Sequence, residues 1–152
     1  MVTLNQISTE KLITVPLSHK VDEAMSIMRK YQIRHLPVAN ADEKIIGLVS
    51  DRDLLLNSGC DEKLVSDIMK TDLITFDIKA ELKYVVESII ENKISAVLVT
   101  RGHHIVGIVT SEDLLNVLLK YLNADDSTPT FLEDYIEMFK SYLLEVKNPN
   151  YV

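Results

Sequence analysis

The sequence predicts an α/β fold of two β-α-β-β-α repeats packed about a pseudo-twofold, with an added C-terminal amphipathic helix. Three observations predict it. First, the chain repeats itself. Gly47-Leu48-Val49-Ser50-Asp51-Arg52-Asp53-Leu54-Leu55 returns as Gly107-Ile108-Val109-Thr110-Ser111-Glu112-Asp113-Leu114-Leu115, and Ile33-Arg34-His35-Leu36-Pro37-Val38 returns as Ile94-Ser95-Ala96-Val97-Leu98-Val99. The offset is 61 residues before the second hairpin and 60 after it. Such a period is too long for a solenoid unit and suits a small α/β unit that packs on its own copy. Second, the apolar spacing within each copy runs strand, helix, strand, strand, helix. Third, 47% of the residues are hydrophobic but only 6% aromatic, so a globular chain must build an aliphatic core.

Taken in order, Leu12 to Val15 reads as a strand that Pro16 ends. Val21, Ala24, Met25, Ile27, Met28 and Tyr31 follow a helical period. Leu36 to Ala39 and Ile45 to Val49 form a hairpin around the polar turn Asn40-Ala41-Asp42-Glu43. Ser50 caps a short helix from Arg52 to Asn57 that stops near Gly59. Val65 to Lys70 joins the copies. The second copy predicts a strand near Ile74, a helix over Leu82–Glu91, strands over Val97–Thr100 and Ile105–Val109, and a longer helix to Leu122. A helix between the first two strands implies a crossover, and each unit leaves an apolar face that its copy must cover. Asn123 to Thr130 is a polar linker. Leu132, Ile136, Phe139, Leu143 and Val146 then mark an amphipathic helix, expected to pack on the body or a dimer seam. The division is 1–62 for the first repeat with its N-terminal segment, 63–123 for the second, and 124–152 for the linker and last helix.

A formal charge of −7 argues against a nucleic-acid or anionic-membrane surface. A single cysteine, Cys60, excludes an internal disulfide, and no run is long and apolar enough to span a bilayer. Met1 to Glu10 lacks the pattern of a secretory signal, so a cytoplasmic location is expected. No Gly-rich phosphate loop, zinc-protease motif or Ser-centred elbow is present, and no catalysis is expected.

The chemistry concentrates in Gly47-x-x-Ser50-x-x-Asp53 and Gly107-x-x-Thr110-x-x-Asp113. Each glycine lets backbone or ligand approach the strand closely. Each hydroxyl stands where strand becomes helix, beside free N–H groups and the positive end of the helix dipole. A carboxylate one turn in can accept two hydrogen bonds from a vicinal diol such as a ribose, and the same spacing is that of a capping box, which needs no ligand.

With these motifs, the Ile33-x-x-Leu36-Pro37-Val38 run and Val65-Ser66-Asp67-Ile68-Met69 ahead of the second copy, the chain resembles the cystathionine-β-synthase (CBS) domain pair, or Bateman module, over Leu12 to Leu122. The resemblance implies a regulatory module that binds adenosine-containing ligands (AMP, ADP, ATP, S-adenosylmethionine) in clefts between the repeats, without metal or catalysis, and that forms homodimers. It implies Ser50 with Asp53, and Thr110 with Asp113, as ribose pairs, and Arg34 and His35 as phosphate contacts. Pro37, Thr14 and Thr75 complete the implied site around the first strands and hairpin. Arg52 either reaches the same pocket or pairs with Asp51 or Asp53. A structural or interaction module with vestigial pockets is the alternative.

The second copy departs from this pattern. Ser95, Ala96, Leu98 and Glu112 replace Arg34, His35, Pro37 and Arg52, so two unequal sites are expected, one better for a phosphorylated adenosine. The first copy has Asn5-Gln6-Ile7-Ser8 where the second has Ser66 to Met69. His103-His104 falls in a hairpin turn without nearby cysteine and reads as no metal site. Arg101 with His103 could meet a phosphate across a dimer.

Overall fold

The computed structural model describes residues 3–59 and 62–123. The predicted helix over 132–146 and Cys60 lie outside the described residues. The first repeat runs β1 (Val15–Pro16), α1 (Val21–Tyr31), β2 (His35–Ala39), β3 (Ile45–Ser50) and α2 (Asp51–Leu56). The second runs β4 (Thr75–Asp77), α3 (Leu82–Glu91), β5 (Ala96–Arg101), β6 (His104–Thr110) and α4 (Ser111–Leu122). Each repeat holds a three-stranded sheet. The first strand pairs parallel with the second across the helical crossover, and the second pairs antiparallel with the third.

The elements agree with the hydrophobic pattern, with shifts of a residue or so at several ends, as where β5 runs Ala96–Arg101 and β6 His104–Thr110, and a larger one at the first strand. The first strand is Val15–Pro16, later than the predicted Leu12 to Val15. Pro16 is tolerated because β1 is an edge strand, and Leu12 instead packs against the cluster of Ala96, Leu98 and Ile108 between the repeats. The second copy's first strand likewise begins at Thr75, one residue past Ile74. α2 begins at Asp51 rather than Arg52, because Ser50 is its cap and the next residue is already helical. Among the described residues no helix is long and apolar enough to cross a membrane.

Each repeat's leading segment crosses to the other repeat. Leu4, in a 3-10 turn over Leu4–Gln6, is fully buried with Ile78, Leu82, Val85 and Val97 of the second repeat. Val65, in the equivalent turn over Val65–Asp67, is fully buried with Val15, Val21, Leu36 and Leu54 of the first. The backbone seals both crossings. Thr9 N–H donates to the Ile108 carbonyl at 3.0 Å and Ile108 N–H returns to the Thr9 carbonyl at 3.2 Å. Lys70 and Leu48 exchange the matching pair, both at 2.9 Å. Gln6 does in the first copy what Asp67 does in the second. Its Oε1 accepts from Thr3 N–H at 2.9 Å, and Asp67 Oδ2 accepts from Leu64 N–H at 2.9 Å.

The crossings explain the two strand glycines. A side chain on Gly47 would collide with Met69, and one on Gly107 would stand 3.1 Å from the Thr9 carbonyl oxygen. What comes close to these glycines is the protein's own crossing segment. Leu4→Ala should therefore destabilise the second repeat although Leu4 precedes the first. The cost expected for a buried Leu→Ala change is about 2 to 5 kcal/mol, read from urea denaturation.

Candidate functional site

Among the described residues two clefts open along the seam between the repeats, each combining a helix start from one repeat with the opposite helix end and strand start from the other. The first has a volume of about 380 Å3 and is lined by His35, Leu48, Ser50, Asp51, Arg52 and Asp53 of the first repeat. Lys70, Asp72, Leu73, Ile74, Lys93, Ile94, Ser95, Ala96 and Leu98 complete it. The second, of about 190 Å3, is lined by Thr9, Gln32, Ile33, Arg34, His35, Ile108, Thr110, Glu112, Asp113 and Asn116.

Both helix starts have the same hydrogen bonding. Asp53 Oδ2 accepts from Ser50 N–H at 2.9 Å and from Ser50 Oγ at 2.6 Å, while Asp53 N–H donates back to Ser50 Oγ at 3.2 Å. Asp113 Oδ2 accepts from Thr110 N–H and Thr110 Oγ1, both at 2.7 Å, and Asp113 N–H donates to Thr110 Oγ1 at 3.3 Å. These are capping boxes, so that reading of the spacing holds. A carboxylate offers about four lone-pair sites, however, and the boxes use Oδ2 alone. Among the described residues, Oδ1 of neither aspartate has a partner. The box orients the carboxylate and leaves Oδ1 unengaged on a residue that lines the cleft.

The cations distribute unevenly. Arg52, Lys70 and Lys93 line the first cleft beside Asp51, Asp53 and Asp72. Among the described residues Arg34 is the one Lys or Arg that lines the second, beside Glu112 and Asp113. Arg34 therefore stands with Thr110 and Asp113 of the other repeat, not with Ser50 and Asp53 of its own. Arg52 lines the cleft and makes no ion pair with Asp51 or Asp53. Glu10 pairs with Arg101 at 3.3 Å.

Lys93 and Gln32 occupy the same place in the two copies. They follow α3 and α1 with φ of 52° and 53°, the left-handed conformation that glycine adopts at least cost. The bonds from Ile94 N–H to Ile89 O at 3.1 Å and from Ile33 N–H to Met28 O at 3.0 Å close both helix ends. A lysine in such a position accepts backbone strain while lining the cleft.

His35 lines both clefts, and its Nε2 lies 2.9 Å from Ser95 Oγ. Its pKa is held below the ordinary histidine value, chiefly by burial. Asp51 and Asp53 oppose the shift, and Arg34 and Lys70 reinforce it.

Of the residues singled out in the sequence, Ser50, Arg52, Asp53 and His35 meet in one cleft and Arg34, His35, Thr110 and Asp113 in the other. Pro37, Thr14 and Thr75 line neither. Pro37 is buried within β2 opposite Leu48, and Thr75 stands in β4 opposite Leu98. Thr14 is exposed just ahead of β1. Leu73 and Ile74, immediately before Thr75, are the residues that reach the cleft wall. Lys70, Lys93, Gln32, Thr9 and Ser95 were not singled out as contacts. Their one sequence signal is the 61-residue offset, which matches Thr9 to Lys70, Gln32 to Lys93 and Arg34 to Ser95. Among the described residues no cluster of three or more histidine, cysteine or acidic side chains could hold a metal.

Comparison with known proteins accords with this architecture. The sequence profile of the CBS domain matches residues 4–58 and 65–120. A CBS domain-containing protein of Dictyostelium discoideum is 30% identical over 139 residues, covering 80% of this chain and 94% of that protein. The homoserine O-acetyltransferase of Methanohalobium evestigatum is 25% identical over 119 residues, covering 78% of this chain. The match spans only 24% of that enzyme's length. Among solved structures, a CBS domain pair in complex with 5′-methylthioadenosine and S-adenosyl-L-methionine superposes with a TM-score of 0.74 at 26% identity. That match covers 79% of this chain and 98% of the other. With two profile matches in tandem and both repeats folded as in that pair, the chain belongs to the CBS domain family and is a tandem CBS pair, or Bateman module.

Proposed function

We propose that this protein is a regulatory sensor of an adenosine-containing ligand, bound between the repeats, with no catalysis of its own. The observation that carries the reading is the Asp53 carboxylate. It is fixed by Ser50 with Oδ1 unpartnered, at the wall of a cleft of about 380 Å3. That volume lies in the range of small-molecule sites. Leu48, Leu73, Ile74, Ile94, Ala96 and Leu98 offer an apolar wall for a purine, Oδ1 an acceptor for a ribose hydroxyl, and Arg52, Lys70 and Lys93 charge for phosphate. The related pair solved with 5′-methylthioadenosine and S-adenosyl-L-methionine supports the adenosyl class.

The clefts are unequal in this reading. The first suits a phosphorylated adenosine such as AMP, ADP or ATP. The second is half the volume, with Glu112 beside its one arginine, so it takes AMP more weakly than the first and favours an uncharged or cationic adenosyl group such as S-adenosylmethionine.

The module acts as a homodimer in the cytoplasm. α4 contributes no buried residue, and Leu55, Leu56, Leu115, Leu119 and Leu122 of α2 and α4 are all more than half exposed. A second copy would cover this face. The same face is the observation that favours the alternative, an interaction module with vestigial pockets; absence of a thermal shift with AMP, ATP and S-adenosylmethionine would decide for it.

Three outcomes follow. By calorimetry, Asp53→Ala binds AMP about ten- to a hundredfold more weakly, the loss expected for a hydrogen bond to a charged group; unchanged affinity refutes the ribose assignment. Lys93→Gly gains about 1 kcal/mol of stability by relieving its left-handed backbone. It loses about two- to fivefold in AMP affinity, while adenosine binds as before. Light scattering gives twice the monomer mass for the unchanged chain and the monomer mass for Leu119→Glu.

A further inference from the structure

One residue lines both clefts. Among the described residues His35 alone appears in the lining of each, and its Nε2 meets Ser95 Oγ at 2.9 Å across the seam. Among the described residues this is the one side-chain hydrogen bond joining residues 12–59 to residues 71–123. The backbone continues the link on either side. Asp51 N–H, at the first residue of α2, donates to the Arg34 carbonyl at 2.9 Å, and Ser111 N–H, at the first residue of α4, donates to the Ser95 carbonyl at 3.0 Å. A continuous path thus connects the start of the helix holding Asp53 to the start of the helix holding Asp113. The imidazole–hydroxyl contact is its middle link.

The pseudo-symmetry does not duplicate this link. The position matching His35 in the second repeat is Ala96, so two clefts share a single imidazole. A neutral imidazole has one N–H to give. Around it stand Asp51 and Asp53 from α2, Arg34 beside it and Lys70 from the crossing segment. From the second repeat Ser95 bonds the ring, and Asp72 and Lys93 line the first cleft with His35 while Glu112 and Asp113 line the second with it.

We propose that the two clefts are negatively coupled through His35: a ligand that engages the imidazole in one cleft breaks its contact with Ser95 and withdraws it from the other. The coupling rests on the reading of both clefts as adenosine-ligand sites. It is reciprocal by linkage, so either cleft filled first weakens the other by the same factor. Two occupancies separated in this way would let the module report how much ligand is present as well as whether any is.

The test titrates AMP into the unchanged chain, into Asp53→Ala and into Asp113→Ala, with affinities from calorimetry and the His35 ring followed by NMR. AMP should move the His35 ring signal in both single-cleft variants. The second AMP to enter the unchanged chain should bind about fivefold or more weakly than AMP binds that cleft when it alone is available. In His35→Ala the two affinities should agree. The ring-signal measurement needs no His35 substitution and decides the matter if His35→Ala does not fold. A ring signal that answers to one cleft only, AMP binding in one cleft only, or equal affinities with the other cleft filled or disabled would overturn the coupling and leave the adenosine reading standing. Failure of AMP to bind any of the proteins overturns that reading and the coupling with it.

Discussion

The reciprocal crossing of the leading segments is the constraint on which the rest of the structure depends. A three-stranded sheet with two short helices cannot bury its own apolar residues. Here each sheet is completed by a turn and an extended residue that belong, in sequence, to the other repeat. Leu4 fills the core of the second repeat and Val65 that of the first. Thr9 and Lys70 are stitched by paired backbone bonds to Ile108 and Leu48. Because those stitched residues end at the clefts, the crossing that closes the cores also supplies cleft walls. Gly47 and Gly107 serve this packing directly, since a Cβ at either would press on the crossing segment.

The two helix starts combine a stabilising role with, in the proposed function, a presenting one, through one hydrogen-bond pattern. A capping box satisfies N–H groups that a helix terminus otherwise leaves open. In doing so it engages one oxygen of an aspartate that lines a cleft and leaves the other without a partner among the described residues. A ligand would meet a carboxylate already oriented, which lowers the ordering cost of binding. The sequence spacing therefore has a single geometric meaning that serves both readings.

Asymmetry enters through a few positions on a symmetric frame. Lys70 against Thr9, Lys93 against Gln32, and Arg52 against Glu112 all favour cation in the first cleft. Only Arg34 against Ser95 favours it in the second. At Gln32 and Lys93 the backbone is nonetheless the same, with φ of 53° and 52°. Charge diverged while geometry did not.

The sequence by itself determined the doubled architecture, the order of elements and the Ser/Thr–Asp boxes, because these follow from local spacing: alternation for strands, a 3.6-residue period for helices, three residues from cap to carboxylate. Leu82–Glu91 was legible to the residue for that reason. The exchange of leading segments, the company each cation keeps and the sharing of His35 were decided only by the tertiary structure. They depend on which face of one repeat meets which face of the other, and no local spacing encodes that. Arg34 lies 76 residues before Thr110 and 16 before Ser50, yet it shares a cleft with the distant residue, because the pseudo-twofold sets each strand start against the opposite helix.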